Sequence, residues 1–225
     1  MGPVEIITEG GVARADLDGD GTAARFLLVL THGAGGSVQA PDVLAARDAG
    51  RQLGAIVARV TQPYRVAGAR APGSAERQDA AWLQIVAALR ELAPGVPLVQ
   101  GGRSNGARVV CRTAAAVGAR AVIALAFPLH PPGRLPGRGG PGPGGTVGPD
   151  ASRSDAAVQI RVAELRAARA GGAMVLVVNG ERDPFGIPSA DDADRVVIVP
   201  RETHALKGHR AEIVGAVAEW LSNVL

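Results

Sequence analysis

Pro97-Leu98-Val99-Gln100-Gly101-Gly102-Arg103-Ser104-Asn105-Gly106-Ala107-Arg108-Val109-Val110 is the stretch on which the reading of this chain turns. A short apolar run ends in two glycines. A serine follows in the frame Gly102-x-Ser104-x-Gly106, and a helix-forming run begins directly after it. The pattern describes strand, tight turn and helix in immediate succession, which is the context of a nucleophile elbow. Such a turn brings strand and helix so close that side chains beside the serine would collide, so small residues are needed there. Gly102, Gly106 and Ala107 meet that need. Taken alone, the same letters also describe a Gly-Gly turn with an incidental Ser-Asn pair, so the rest of the chain has to discriminate.

The chain has 225 residues, a length that suits one α/β domain over 1–225. Hydrophobic residues make up 47% and aromatics only 3%, so the core must be built from Val, Leu, Ile and Ala. Few aromatics argue against a base-stacking nucleic-acid binder. The isoelectric point near 9.9 accompanies a net charge of only +3. The arginines are scattered singly, which describes a solvated surface rather than a nucleic-acid patch. Cys111 is the single cysteine, in an apolar run that suits a buried thiol. No apolar run approaches the roughly 18 residues of a membrane span, and Met1 to Glu5 lacks the start of a signal peptide. A cytoplasmic location without membrane contact is expected.

Val4 to Thr8 and Val12 to Leu17 read as a hairpin around Glu9-Gly10-Gly11. Asp16-Leu17-Asp18-Gly19-Asp20-Gly21 imitates the start of a calcium loop. The twelfth position, which needs a bidentate Glu, is Leu27, so a plain Asp-Gly turn is expected. Arg25 to Thr31 is a buried-type strand that runs into His32-Gly33-Ala34-Gly35-Gly36. A dinucleotide fingerprint would need glycine at Val38 and therefore fails. The loop instead suits backbone N–H groups that approach a carbonyl closely. The Ala34 N–H is the expected oxyanion donor, with Gly35 as the near alternative, and His32 is expected to anchor the loop.

Helices over Pro41–Leu53, Ala75–Leu92, the run after Ser104, Ala157–Ala170 and Gly208–Val224 alternate with strands over Ala55–Thr61, Arg120–Phe127, Met174–Val178 and Asp194–Val199. Gln62 to Gly73 reads as loop. This alternation predicts an α/β fold: a mostly parallel sheet with helices on both faces, behind an N-terminal antiparallel hairpin. From Pro131 to Pro149, eight glycines and six prolines fall among nineteen residues. Such a stretch holds too little apolar surface to order itself, so a mobile insertion at about 131–150 is expected, with a flap over the site as its functional version.

In sheets of this kind, functional groups gather beyond the carboxyl ends of the strands. Ser104, Asp183 and His204 each follow a predicted strand directly, in that order. A neutral hydroxyl is a poor nucleophile and needs a base, which the His204 imidazole supplies. The imidazole needs a carboxylate to fix its tautomer and stabilise its charged form, a role that falls to Asp183. The N–H groups of Asn105 and Ala34 would hold the oxyanion. Glu181 rivals Asp183 but lies nearer the strand end, and His209 rivals His204 but falls in the last helix. Gly35, Arg103, His130 and Phe185 are further candidates for substrate contact, although a salt bridge supporting the elbow suits Arg103 better. Cys111 has no elbow around it. No His, Cys and Asp cluster has metal-ligand spacing, so neither metal nor cofactor is expected.

Five elements together resemble a known family: His32-Gly33-Ala34-Gly35-Gly36, Gly101-Gly102-Arg103-Ser104-Asn105-Gly106, Leu129-His130-Pro131-Pro132-Gly133, Gly180-Glu181-Arg182-Asp183-Pro184-Phe185-Gly186 and His204-Ala205-Leu206-Lys207. They look like the small α/β-hydrolase family related to dienelactone hydrolases, which also includes testis-expressed and histone-acetyltransferase-complex hydrolase-like proteins. The resemblance covers most of the chain from about residue 25. It implies the α/β-hydrolase fold, with Ser104 as nucleophile, Asp183 as acid and His204 as base. Dienelactone hydrolases proper use cysteine as nucleophile, so their substrate does not carry over. The expectation is a serine hydrolase that cleaves a small carboxylic ester or thioester through an acyl-enzyme. A catalytically silent scaffold for a protein partner, or an acyl-transfer or cyclisation enzyme, are the alternatives.

Overall fold

The computed structural model describes residues 3–19, 24–131 and 149–225, the side chains of 149–154 excepted. Strands β1 (Val4–Thr8), β2 (Gly11–Asp18), β3 (Phe26–Thr31), β4 (Ala55–Thr61), β5 (Leu98–Arg103), β6 (Ala121–Leu125), β7 (Met174–Gly180) and β8 (Arg195–Val199) form one sheet. Its order is β1-β2-β4-β3-β5-β6-β7-β8. The β1–β2 and β2–β4 pairings are antiparallel, and every later pairing is parallel. The helices are α1 (Pro41–Gln52), α2 (Pro63–Val66), α3 (Ala75–Arg90), α4 (Asn105–Thr113), α5 (Pro149–Ala170) and α6 (Arg210–Val224).

β3 shows why the fold takes two helical layers. Its sequence has no polar alternation, and Phe26 to Leu30 are buried to within 1%. Successive side chains leave a strand on opposite faces. Leu27 and Val29 join a core with Trp82 of α3, Val110 of α4 and Leu165 of α5. Phe26, Leu28 and Leu30 join a second core with Val43 of α1 and Ile213 and Trp220 of α6. A parallel strand covered on both faces has to be apolar throughout.

Several expected boundaries shift. β6 ends at Leu125 instead of Phe127 because Ala126 turns at φ 46°. The expected loop after β4 contains α2, with Pro63 in its first turn, where a missing N–H is harmless. The last helix starts at Arg210 rather than Gly208, since His209 adopts φ 48°. α5 begins at Pro149, inside the stretch expected to be structureless. The rest of that stretch, 132–148, lies outside the described residues, as do Asp20 and Gly21 of the calcium-like turn. The described carboxylates of that turn face Arg59, with Asp18 at 2.7 Å and Asp16 at 3.7 Å.

The topology places the site. The chain passes from β3 to β4 on one side, while β5 lies on the other. Loops that leave two such neighbours at the reversal of strand order diverge and open a crevice. Thr31 stands opposite Gly102 in the register, so the loops after β3 and β5 leave the sheet together.

Candidate active site

Ser104 sits between β5 and α4 at φ 53° and ψ −114°. A residue with a side chain is rarely found there, at a typical cost of about 1–3 kcal/mol. The surroundings hold it in place. Its N–H donates to the Leu125 carbonyl at 2.8 Å, and its own carbonyl accepts from Arg108 N–H at 3.3 Å. A Cβ on Gly102 would collide with the Gly106 carbonyl. One on Gly106 would lie 2.5 Å from the His32 oxygen. Both glycines are therefore dictated by the contact of β5, α4 and the loop after β3.

Asp183 and His204 arrive from the loops after β7 and β8. His204 Nδ1 lies 2.9 Å from Asp183 Oδ2, and His204 Nε2 lies 2.9 Å from Ser104 Oγ. With Asp183 ionised, Nδ1–H donates to the carboxylate and Nε2 is left to accept from the serine hydroxyl. The Asp183 side chain is fully buried. Its Oδ1 accepts from Phe185 N–H at 2.9 Å, and its Oδ2 also accepts from Asn179 Nδ2 at 3.2 Å. The Phe185 ring packs edge-on against the His204 imidazole, 4.5 Å between centroids.

The loop after β3 is fixed from behind. Gln62 N–H donates to His32 Nε2 at 3.0 Å, which leaves Nδ1–H to donate to the Gly33 carbonyl at 2.8 Å. Burial pushes the His32 pKa down, so the ring stays neutral. Tyr64 Oη donates toward the carbonyls of Ala34 at 3.2 Å and Gly33 at 3.4 Å, and burial pushes its phenol up to about 12. A Cβ built on Gly33 would lie 3.1 Å from Ser104 Cβ, so loop and elbow are in contact. Among the described residues, the N–H groups of Ala34, Gly35 and Asn105 have no acceptor. The Asn105 side chain is tied to Gln78 at 2.6 Å.

The remaining candidates separate clearly. The Arg103 guanidinium is engaged by protein, with Nε 3.0 Å from Asp42 and Nη2 2.9 Å from the His204 carbonyl. His130 packs beside Gly186, and its N–H donates to the Phe185 carbonyl at 2.9 Å. Glu181 accepts from Arg201 N–H, and His209 pairs with Glu202, so neither rival joins Ser104. Cys111 is buried, which raises its thiol pKa. Among the described residues no cluster of His, Cys, Asp or Glu could hold a metal ion, and no helix is long and apolar enough to cross a membrane.

Two site residues escaped the sequence reading. Asn179 was legible only as the residue after an apolar strand. Asp42 did leave a signal: it shares one helix face with Ala45, Ala46 and Ala49, where a carboxylate is out of pattern.

The sequence profile described as alpha/beta hydrolase domain matches residues 24–138. The chain belongs to this family. No curated protein sequence matches it. Solved structures resemble it over nearly their whole length. Est1E from Butyrivibrio proteoclasticus, with ferulic acid bound, has a TM-score of 0.71 at 18% identity and covers 98% of both chains. XC6422 from Xanthomonas campestris, an α/β serine hydrolase without lid, has a TM-score of 0.70 at 19% identity and covers 99% of this chain and 94% of its own. Dienelactone hydrolase from Anabaena variabilis has a TM-score of 0.71 at 15% identity, covering 99% and 97%. At these identities the likeness establishes the shared fold.

In this alpha/beta hydrolase a cleft of about 550 Å³ opens between the β1–β2 turn, α2 and the start of α3. Pro63, Tyr64, Gln78, Ala80 and Trp82 are among its walls. Tyr64 and Gln78 are also the side chains that support Ala34 and Asn105, so cleft and site share a wall.

Proposed function

We propose that the chain is a serine hydrolase that cleaves a small carboxylic ester or thioester through an acyl-enzyme. One observation carries this reading: a single imidazole stands 2.9 Å from both the Ser104 hydroxyl and the buried Asp183 carboxylate. Ser104 Oγ attacks the carbonyl carbon as His204 Nε2 takes its proton. The tetrahedral oxyanion is held by the N–H groups of Ala34, or Gly35, and Asn105. Collapse expels the alcohol or thiol, which receives the proton from His204. Water then attacks the acyl-enzyme by the same route, and the acid leaves. Asp183 keeps the imidazole in the tautomer that leaves Nε2 free to accept. The motifs at His32–Gly36, Gly101–Gly106 and Gly180–Gly186 support placement in the testis-expressed and histone-acetyltransferase-complex hydrolase-like branch of the dienelactone-hydrolase-related family, with serine where dienelactone hydrolases proper have cysteine.

The test is labelling by a fluorophosphonate together with hydrolysis of p-nitrophenyl acetate. Wild type should label and turn over. Ser104→Ala should not label and should lose about 10³-fold or more in kcat. Equal behaviour of the two proteins refutes the reading.

A further inference from the structure

Asp42 is a buried ionisable group for which the chemistry above has no use. It lies on α1 with its side chain fully buried. Desolvation pushes its carboxyl up to about 6, so keeping it ionised at neutral pH works against folding. A fold that retains such a group away from the reacting atoms invites a functional reason. Its Oδ2 faces Arg103 Nε at 3.0 Å, out of line for a hydrogen bond. From the same guanidinium, Nη2 donates to the His204 carbonyl at 2.9 Å. A three-residue chain therefore runs from α1, through the residue that precedes Ser104, to the backbone of His204.

We propose that Asp42 and Arg103 clamp the His204 loop against the elbow, as positioning residues that keep Nε2 within reach of Ser104 Oγ. The inference rests on the acyl-enzyme reading. His204 lies in an irregular segment in which Arg201, Leu206 and His209 all have positive φ. Glu202 ties that segment to itself by accepting from the N–H groups of Lys207 and Gly208 and pairing with His209. Its carbonyl also accepts from Arg182 N–H, which binds the segment to the loop that carries Asp183. Arg103 makes the link from His204 to the strand that carries the nucleophile. A planar fork can face a carboxylate with one nitrogen and a carbonyl with another, whereas a lysine ammonium is a single point.

The other charges around Asp42 have partners of their own. α1 packs on β3, β4, β5 and α6. β3 brings no charged side chain. β4 brings Arg59, held by Asp16 and Asp18. α6 brings Arg210, which pairs with Asp48 of α1, as Arg47 does. Burial keeps His32, directly after β3, neutral. Arg103 is therefore the cation that the Asp42 carboxylate answers.

The experiment compares wild type, Asp42→Asn and Arg103→Lys by steady-state hydrolysis of p-nitrophenyl acetate over about pH 5–9. Both variants should lose about 10- to 100-fold in kcat at about pH 8, with KM changed by less than about threefold. The ratio of Asp42→Asn to wild-type kcat should climb toward one as pH falls through about 6, because wild-type Asp42 then takes up its own proton. Titrations common to both proteins cancel in that ratio. Arg103→Lys keeps a cation beside Asp42 but loses the reach to His204, and it serves if Asp42→Asn does not fold. Wild-type kcat in either variant, or a flat ratio, overturns the clamp. Histidine nitrogen NMR, assigned with His204→Gln, reads the ring without turnover: the His204 signals should move in both variants, and unmoved signals overturn the clamp as well. Failure of the acyl-enzyme reading shows separately, as wild type that takes no fluorophosphonate.

Discussion

Asn179 Nδ2 donates to Asp183 Oδ2 at 3.2 Å, four residues along the chain, from a side chain with no exposed surface. The carbonyls of Phe127 at 3.0 Å and Gly186 at 3.2 Å share the two hydrogens of the same amide with that carboxylate, while its Oδ1 accepts from Phe127 N–H at 2.8 Å. One buried amide thus joins the turn after β6 to Asp183 and Gly186 of the loop that carries the carboxylate. Asn179→Ala should lose about 2–4 kcal/mol of stability, because it leaves buried backbone groups of Phe127 unpaired. It should also lower kcat about tenfold, since Asp183 loses one of its donors. Urea melts and steady-state kinetics check the two effects. A stable, fully active variant would remove Asn179 from the site.

Asp42 makes stability depend on pH in a direction opposite to that of a salt-bridged carboxylate. Its folded carboxyl titrates at about 6, against about 3.9 in an unfolded chain. Between those values the folded state holds a proton that the unfolded state has lost. The contribution of this group therefore falls as pH rises from about 4 to about 6. Two pH units correspond to about 3 kcal/mol. Wild type should gain about 2–3 kcal/mol relative to Asp42→Asn between about pH 7 and about pH 4, as read from paired urea melts. A pH-independent difference contradicts the burial argument.

The elbow stores strain that a glycine would relieve. Ser104→Gly should abolish fluorophosphonate labelling and yet stabilise the fold by about 1 kcal/mol, because glycine accepts the positive φ freely. Gly106→Ala should do the opposite. Its methyl group would lie 2.5 Å from the His32 oxygen and 2.9 Å from Thr31 Cγ2, so a loss above about 3 kcal/mol is expected. Thermal melts that place both variants level with wild type would count against a strained elbow.

The cleft beside Tyr64 and Gln78 is lined by neither Ser104 nor His204, and a substitution on its wall tests whether the acyl chain of the proposed substrate enters it. If the acyl chain runs into it, Ala80→Trp should cut kcat/KM for p-nitrophenyl octanoate at least about tenfold relative to acetate, since the larger ring would fill space that only the longer chain reaches. Ala80 is exposed on α3, so the fold should tolerate the change. An equal effect on the two esters places the chain elsewhere.

Much of this is legible in the sequence. β3 could be read as a doubly buried strand because five consecutive apolar residues have no other stable home. The turn at Gly102 to Gly106 could be read because only small residues survive where backbone meets backbone. Its Ser-Asn pair alone was ambiguous. The order Ser104, Asp183, His204 at three strand ends favours the elbow, and hydrogen bonds of 2.9 Å join the three side chains.

The helix boundaries at 149 and 210 were not legible, nor was α2, because each depends on how a single proline or a left-handed residue sits against its neighbours. Arg103 looked like a candidate for either substrate or salt bridge, and only its partners separate the two. Local chemistry and periodicity belong to the sequence: which runs are buried, where glycine is compulsory, which residues can act as nucleophile, base and acid. Asn179 and Asp42 belong to the tertiary structure. Their roles come from partners that lie far away along the chain, or from complete exclusion of water, and neither is a property of neighbouring letters.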